Sequence, residues 1–388
     1  MSGFVSLQSL TSLFAADILI VSLKELPTHE IYYQNRHHRR AWIESNLSKQ
    51  GYKVLFIPET ASELILGGVA PWTVNTNYDF QKALVSLQIQ KERVFEMAAN
   101  NMENEKILIV ADRGISDNKA YMTNAEWESL CRELGGSEIA FRDNYDAVFH
   151  LVTAAKGAEK FYTLSNNQAR TETPEQAIAM DEKIITCWTG HPYLRIIDNS
   201  TDFTGKMRRL VSEITHFLGE PNAFETERRY LIRMPDLQAL ERLPNCRKVE
   251  IIQTYLIRQD GEPLVRVRQR GSHGSYIYVK TTVQQTADGH FLETEQRLTK
   301  DEYLSLLMDV DTSLRQIRKN RYCLTENNLY FEIDVYPFWK QQALLEIQVN
   351  DPHQHIAFPP FLSILRDVTH NSAYKSYGIS QHIPPEDA

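Results

Sequence analysis

The stretch Asn328–Asn350, NLYFEIDVYPFWKQQALLEIQVN, decides the fold of the C-terminal half of the chain. It contains two runs, NLYFEIDVY and QALLEIQVN, in which apolar and polar side chains alternate, a period typical of β-strands. A single amphipathic helix, KDEYLSLLMDV, interrupts the series of such runs. We expect an eight-stranded antiparallel barrel, because closure removes exposed edge strands. The six other strand-like runs are FETERRYLI, VEIIQTYLI, PLVRVRQRG, SYIYVKTTV, HFLETEQRL and NRYCLTE.

The alternating polar positions of these runs are charged, and the two signs are sorted by strand. Residues i and i+2 of a strand share one face, so that face can carry carboxylates on one side and cations on the other. Carboxylates suit Mg²⁺ or Mn²⁺ and basic side chains suit phosphate oxygens, which predicts a site for a metal-bound polyphosphate. The alternative is a solvated charged face. The acidic residues are Glu225, Glu227, Glu293, Glu295, Glu332 and Asp334, and the basic residues are Arg229, Arg266, Arg268, Lys280, Lys319 and Arg321.

Up to about residue 220 the chain instead alternates short apolar strands with long helices. This rhythm predicts a doubly wound parallel sheet. Between the first two strands lies a helix whose apolar positions are Phe80, Leu84, Leu87, Val94 and Met97. Gly219 and Pro221 then form a plausible hinge. The predicted strands are YKVLFI (52–57), KILIVA (106–111), AVFHLVTA (147–154) and YLRIID (193–198).

Composition narrows the function classes. A length of 388 residues is enough for two domains, and a net charge of −8 argues against a dedicated nucleic-acid binder. The four cysteines form no CxxC pair, which favours reduced thiols in a cytoplasmic protein. No segment has the length of a membrane helix. The only candidate targeting signal is the first stretch, which lacks a basic start and is interrupted by Asp17, so a signal peptide is disfavoured.

The C-terminal strands resemble a known family. ETERRYLI is similar to the ExExK signature of CYTH domains, the triphosphate tunnel fold, with Arg229 in the place of the lysine. VRVRQRG, YVKTT, ETEQRL, RKNRY and EIDVY match later strands in order, so the resemblance runs from Phe224 to about Tyr377. It implies that the acidic set, together with Glu346, lies on a metal side and the basic set on a phosphate side. Glu227 is its candidate catalytic glutamate.

One position departs from that pattern. In the last strand, Glu346 is followed by Gln348, where relatives often have a second glutamate. An amide supplies no charge and cannot act as a general base. The departure therefore favours binding over full triphosphatase activity.

The N-terminal half resembles the P-loop ATPase-like domain of NadR regulators and of TRPL translocation defect proteins, which fuse it to a CYTH-like domain. The match runs from about Ala41 to Pro221. It implies the domains 1–40 (atypical segment), 41–220 (P-loop-like) and 221–388 (CYTH-like). The motifs are FIPETASELILGGVAPW, VADRGISDNKAYM, NNQARTETPEQAIAMDEK and HPYLRIIDNSTDFTGKMRRLVSEITHFLGEP.

Three charged residues of this half follow strand ends, where open α/β sheets bind their ligands. Glu59 follows YKVLFI, and Asp112 and Arg113 follow KILIVA. Asp112 is suited to hold Mg²⁺ and Arg113 to reach a phosphate. The resemblance implies that Glu59 polarises a hydroxyl acceptor and that Arg170 is a lid arginine. The alternatives are a capped loop for Asp112 and a solvated surface position for Arg170.

The phosphate loop itself is missing from the sequence. Related domains carry G-G-P-x-x-G-K-[ST], whose backbone N–H groups and lysine hold the phosphates. Here the corresponding place reads YYQNRHHRRAW (32–42), and no glycine occurs between Gly3 and Gly51. We therefore expect nucleoside triphosphates to bind this half poorly.

Two explanations remain open for the missing loop. One is a pseudo-NTPase that kept its fold and lost its loop. In the other, residues before about Ala41 are translated out of frame, because codons for Gln34–Trp42 read one base downstream can encode Lys-Ile-Val-Ile-Thr-Gly-Gly-Pro. Sequencing the transcript decides between them.

Three functions compete. The first is a regulatory protein that binds GTP or ATP and acidic phospholipid head groups, in the cytoplasm or peripherally at membranes. The second is an enzyme, either a Mg²⁺- or Mn²⁺-dependent triphosphatase or a degenerate small-molecule kinase. The third is an interaction protein whose charged tunnel is vestigial.

Overall fold

A computed structural model describes residues 17–25, 38–103, 106–158, 173–219, 227–259, 261–285, 291–349 and 354–386. The chain divides into two compact units, Met1–Thr215 and His216–Ala388. Three of the predicted positions, Arg170, Pro221 and Glu225, lie outside the described residues. Within the described part, no helix is long and apolar enough to cross a lipid bilayer.

The N-terminal unit contains a five-stranded sheet in the order β2-β3-β1-β4-β5. Its strands are β1 (Asp17–Glu25), β2 (Tyr52–Ile57), β3 (Lys106–Asp112), β4 (Ala147–Leu151) and β5 (Leu194–Ile197). The four predicted strands are therefore confirmed as β2 to β5. Its helices are α1 (His38–Leu47), α2 (Thr60–Leu66), α3 (Asn77–Asn100), α4 (Asn124–Glu133), α5 (Glu138–Arg142), α6 (Pro174–Trp188) and α7 (Phe203–Phe217).

The prediction of an all-parallel sheet is wrong at the central strand. The pairs β2–β3 and β4–β5 are parallel, as helical crossovers require. Strand β1 runs antiparallel to both of its neighbours, with Leu19 opposite Asp112 on β3 and opposite Phe149 on β4. A short glycine-rich loop would fix the direction of this strand relative to α1. Residues 26–37, which contain no glycine, stand between them instead.

Helix α3 buries only part of the predicted apolar stripe. Phe80, Leu84 and Val85 are buried, but Val94 is 46% exposed and Met97 is 60% exposed. The helix starts at an N-cap on Thr76, whose side chain accepts a hydrogen bond from the backbone of Asp79. Most of its apolar core residues therefore lie in its N-terminal half, with Ala99 buried in the last turn, and Val94 and Met97 lie on a surface.

The C-terminal unit is built on one antiparallel sheet of nine strands in the order β10-β9-β8-β7-β11-β12-β13-β6-β14. The strands are β6 (Glu227–Arg233), β7 (Cys246–Tyr255), β8 (Leu264–Ser272), β9 (Ser275–Gln285), β10 (Phe291–Leu298), β11 (Ile317–Glu326), β12 (Leu329–Val335), β13 (Gln342–Gln348) and β14 (Ile364–Asp367). Its helices are α8 (Leu237–Arg242), α9 (Lys300–Leu306) and α10 (Ser376–Gln381). All eight predicted runs form strands.

The predicted eight-stranded closed barrel needs correction. A ninth strand, β14, pairs with β6 on the side opposite to β13, with an irregular register between Ile364 and Arg366. It occupies the edge of β6 that barrel closure would use. Among the described residues, no pairing joins the two end strands β10 and β14.

Two tight turns fix the register of this sheet. His273 and Gly274 connect β8 to β9 with positive φ angles of 49° and 81°, and Asn327 and Asn328 connect β11 to β12 with φ angles of 51° and 61°. Positive φ at both central residues is the geometry of the two-residue hairpin turn whose twist matches the strands. Since a slip of one residue would exchange the two faces, these turns decide which side chains meet.

The two faces of the C-terminal sheet differ sharply. One face packs an apolar core that includes Ile232, Phe331, Ile333 and Leu345, and Leu240 of α8 covers part of it. The alternate residues of the same strands point to the other face and include the charged positions singled out in the sequence. One unit thus separates an apolar core from a charged surface across a single sheet.

Candidate functional site

The strand register gathers most of the predicted charged residues on one side of the C-terminal sheet. Directly opposed residues share a face. Glu346 lies opposite Arg229 on one neighbour and opposite Glu332 on the other. We call this side the charged face. The predicted residues on it are Glu227, Arg229, Arg266, Arg268, Glu293, Glu295, Lys319, Arg321, Glu332, Asp334 and Glu346.

Lys280, which the sequence assigned to phosphate binding, does not join this face. It lies opposite Val267 on β8 and Gln296 on β10. Val267 is fully buried in a cluster with Leu256 and Tyr303 on the other side of the sheet. The assignment is therefore wrong, because the hairpin register places Lys280 one residue out of phase with Arg266 and Arg268.

One half of the charged face is a continuous ladder of ion pairs. Arg321 donates to Asp334 Oδ1 at 2.6 Å and Oδ2 at 2.7 Å, and to Glu332 Oε2 at 2.6 Å. The same guanidinium donates to Glu346 Oε2 at 2.5 Å. Lys319 Nζ lies 2.5 Å from Asp334 Oδ2. We call these residues, together with Arg229 and Glu227, the ion-pair ladder. Its members are Arg229, Lys319 and Arg321 with Glu227, Glu332, Asp334 and Glu346.

Arg229 extends the ladder toward solvent. Its Nε donates to Glu346 Oε1 at 3.0 Å, and its terminal nitrogen donates to Glu227. Gln348 Nε2 lies 3.4 Å from the second oxygen of Glu227. Exposure rises along this path: the side chain of Asp334 is 0% exposed and that of Glu227 is 38% exposed. The ladder therefore runs from a buried end at Asp334 to an open end at Glu227.

Apolar residues cover the buried end. Leu231, Tyr336 and Leu344 follow the ladder along their strands and pack with Tyr374 and Ile379 of the C-terminal segment. This packing explains why the charges nearest to it are excluded from water.

The pKa values of the two outer carboxyls move in opposite directions. Burial opposes ionisation of Glu346, but the charges of Arg321, Lys319 and Arg229 outweigh it and hold the pKa of this carboxyl well below its usual range. Burial and repulsion by Glu346 raise the pKa of Glu227. Glu346 therefore stays ionised, while Glu227 takes a proton more readily than Glu346 does.

The other half of the charged face holds arginines with fewer partners. Arg266 donates to Glu293 at 2.9 Å, but that carboxylate is 51% exposed, and Glu295 accepts from Thr281 at 3.1 Å. Arg268 is half-buried and forms no hydrogen bond or ion pair with any described residue. Burial and repulsion by Arg266 lower the pKa of Arg268, against the charge of Glu295. Arg266 and Arg268 lie two residues apart on β8 and share one face, so both can contact one anion.

A divalent cation does not fit these carboxylates as they are placed. Among the described residues, no group of three or more His, Cys, Asp and Glu side chains is arranged to hold a metal ion. In this structure Glu227, Glu332, Asp334 and Glu346 are ion-paired to arginine and lysine, and their metal roles remain a prediction.

In the N-terminal unit, the predicted residues at the strand ends meet only in part. Glu59 follows β2 and lies 3.5 Å from Arg113 Nε, and Asp112 is exposed at the end of β3. Arg113 has a φ of 84° and its side chain is only 8% exposed. Burial opposes the charge of Arg113, but Tyr121, Asp117, Glu59 and Asp112 outweigh it and raise its pKa. This guanidinium serves buried ion pairs rather than an open phosphate site.

Sequence reasoning missed several buried polar residues beside this corner. Asp117 lies 3.6 Å from Arg113 and accepts a hydrogen bond from Trp188 at 2.5 Å. His150 and Asp181, both fully buried, lie 3.0 Å apart. Asp117 is four residues from Arg113, but its partner Trp188 is 71 residues away and His150 is 31 residues from Asp181, so no local pattern connects these pairs. The only sequence signal was a polar residue inside an apolar strand, as at His150.

Glu92 gives this unit a predicted dependence on pH. Its carboxylate accepts a hydrogen bond from Tyr145 Oη at 2.8 Å, and burial raises its pKa to about 7 against that bond. Glu92 binds its proton more tightly in the folded than in the unfolded chain. The stability that this difference contributes is fully present below the unfolded pKa and is lost as the pH rises through about 7. We expect Glu92→Gln to raise the free energy of unfolding at pH 8 by roughly 2 kcal/mol and to flatten its fall between pH 5 and 8. Urea unfolding of both proteins at several pH values checks this, and an equal slope in the two proteins would contradict it.

Comparison with known proteins agrees with the N-terminal prediction at a coarse level. A family model described as an AAA domain matches residues 41–206, less than half of the chain. The match begins at residue 41, at the end of the segment 32–42 that stands in the place of the missing loop. It supports the predicted nucleotide-binding type of domain, and the narrower assignment to TRPL translocation defect proteins remains a prediction. Among curated proteins, none matches the chain.

Solved structures also match, with low scores. The inorganic triphosphatase NE1496 is 22% identical, covers 43% of this chain and 100% of its own, and has a TM-score of 0.31. The PH1012 protein from Pyrococcus horikoshii OT3 is 17% identical, covers 32% of this chain and 80% of its own, and has a TM-score of 0.23. A protein described as a putative adenylate cyclase from Bacillus halodurans is 16% identical, covers 42% of this chain and 94% of its own, and has a TM-score of 0.22. Scores of this size do not establish a shared function. The chain is thus similar to an AAA domain over residues 41–206.

Proposed function

We propose that the charged face of the C-terminal unit binds the phosphate groups of a short polyphosphate or of a nucleoside triphosphate. The observation that carries this proposal is Arg268, a half-buried cation on the charged face without a hydrogen bond or ion pair to any described residue. The charge of Glu295 acts on Arg268 but no carboxylate of the described residues is bonded to it, so its guanidinium N–H donors favour an anionic ligand that accepts from them.

The surroundings of Arg268 suit a phosphate. Arg266 lies two residues away on the same strand, and its partner Glu293 is half exposed and readily displaced into water. Two guanidinium groups on one face can each offer a planar pair of N–H donors to phosphate oxygens. Thr281, directly opposite Arg266, donates its hydroxyl to Glu295 and so holds that carboxylate beside the two arginines.

The chemistry of this site is that of a phosphate-rich anion, which GTP, ATP, tripolyphosphate and an acidic phospholipid head group share. A regulatory role of the translocation defect type, with peripheral attachment to membranes, is the biological setting that the sequence resemblance implies. In the N-terminal unit, the AAA-type match supports a nucleotide-binding ancestry, but the sequence lacks the Gly-Lys loop for the β- and γ-phosphates. We place the main anion site in the C-terminal unit for that reason.

Isothermal titration calorimetry of the full chain tests the proposal. Tripolyphosphate, GTP and vesicles containing phosphatidic acid are titrated separately, with inorganic sulfate as a control for simple charge. Saturable binding of tripolyphosphate at one site, much tighter than that of sulfate, is the expected result. Absence of saturable heat with all three ligands would refute the proposal.

Hydrolysis is a second candidate function, and the observation that favours it is Glu227. This carboxyl has a raised pKa and is the most exposed one in the ion-pair ladder, so water can reach it. A carboxylate with a raised pKa is a better general base near neutral pH. If the face hydrolyses tripolyphosphate, Glu227→Gln should lower the rate of phosphate release roughly 100-fold or more. An unchanged rate in that variant would exclude Glu227 as the base.

A further inference from the structure

The carboxylates of the ion-pair ladder hold the same arginine donors that a phosphate would use. Arg321 makes four hydrogen bonds to three carboxylates, and Arg229 is shared between Glu346 and Glu227. Carboxylate and phosphate oxygens accept from a guanidinium in the same fork geometry. Carboxylates on the protein's own strands therefore occupy the donors that a bound phosphate would use.

We propose that Glu346 and Glu227 are internal competitors of the ligand: phosphate oxygens replace them on Arg229 and Arg321, and the exchange needs no divalent cation. This inference rests on the proposed function and adds how the site is loaded. It differs from the metal-bound polyphosphate that the sequence pattern suggested.

The ladder has a fixed part and an exchangeable part. Asp334 is fully buried, and both of its oxygens accept from Arg321 while one also accepts from Lys319. It therefore anchors Arg321 in place. Glu227 sits at the open end with its side chain 38% exposed, so it can turn into water when it is displaced. Gln348 beside it is neutral and adds no further repulsion to an incoming anion.

The two possible roles of these glutamates predict opposite signs. A competitor repels the ligand and occupies its donors, so its neutralisation tightens binding. A metal ligand holds the cation that holds the phosphate, so its neutralisation weakens binding and does so only when the metal is present. The direction in which the substitution changes the affinity for tripolyphosphate therefore separates a competitor from a metal ligand. A residue with only a structural role would change the melting temperature without changing the affinity in either direction consistently.

The experiment is calorimetric titration of tripolyphosphate into the full chain, once with EDTA and once with excess Mg²⁺. We expect saturable binding in EDTA and no tighter binding in excess Mg²⁺, because no ligand oxygen needs the metal and Mg²⁺ chelated by tripolyphosphate competes with the arginines for its oxygens. Glu346→Gln should bind roughly tenfold tighter in EDTA, as expected for removal of one partly buried competing charge, and Glu227→Gln should change in the same direction by less. Glu241→Gln is the matched control, because Glu241 lies on α8 and pairs with Lys248 at the surface.

Thermal unfolding of each variant shows whether it is folded, and Glu227→Gln keeps the test valid if Glu346→Gln does not fold. Binding seen only with Mg²⁺, or weaker binding in the Glu227 variant, would overturn the inference while leaving the proposed function intact. Absence of binding by the wild-type chain under both conditions would instead refute the proposed function, and this inference with it.

Discussion

Replacing Arg268 with alanine is expected to weaken tripolyphosphate binding by roughly 10- to 100-fold, the value of one or two charge-assisted hydrogen bonds. Arg268 has no hydrogen bond or ion pair among the described residues, so the substitution removes a ligand contact without leaving a partner unpaired. Stability should change little, or rise slightly, because a desolvated cation is removed.

Lys280→Ala is the matched control for this variant. It removes one positive charge from the neighbouring strand β9, but on the opposite face, where Lys280 lies across from Val267. Calorimetric titration should give the wild-type dissociation constant for this variant. Equal losses in the two variants would show that only net charge matters and would contradict a localised site on the charged face.

Arg321→Ala should be the most destabilising single substitution on the charged face. It leaves the carboxylates of Asp334, Glu332 and Glu346 without their shared counter-charge, and Asp334 is 0% exposed. Loss of one partner of a buried ion pair costs about 3–5 kcal/mol. For a unit of this size, the melting temperature of the C-terminal unit should fall by roughly 10 °C.

Lys248→Ala provides the comparison for stability. Lys248 pairs with Glu241 at 3.0 Å, with side chains 38% and 46% exposed, so screening by water leaves little to lose. Differential scanning calorimetry of the full chain resolves the effect on each unit. A decrease in melting temperature for Arg321→Ala no larger than for Lys248→Ala would mean that the ladder does not stabilise the fold.

The C-terminal fold was largely predictable from the sequence, because alternation with period two is a local signal. Each of the eight predicted runs is a strand, and the pairs Glu332/Asp334 and Arg266/Arg268 share a face as the i, i+2 rule requires. Strand β14 was not predicted, since ILRD has four residues and no alternation long enough to recognise.

The site was predictable as a set of charges but not as a set of contacts. The register between β8 and β9 depends on the His273-Gly274 turn. A shift of one residue in that register decides which face carries Lys280. Likewise, the alternating charges on the strands suggested a metal-binding carboxylate side. They do not reveal that Arg229 and Arg321 form ion pairs with those carboxylates.

In the N-terminal unit, strand positions were predictable but the direction of the central strand was not. An apolar run such as that of β1 can pair in either direction, and the sequence between β1 and α1 contains no glycine. The buried corner around Arg113 was not predicted from the sequence. Asp117, which pairs with Arg113, accepts a hydrogen bond from Trp188, and Trp188 is distant in sequence.

The most direct test of the central claim is a crystal structure of the full chain grown with tripolyphosphate. The predicted result is a phosphate group within hydrogen-bond distance of the Arg268 and Arg266 guanidinium groups on the charged face. A ligand bound only on the side of the sheet that carries Lys280, or only in the N-terminal unit, would contradict it.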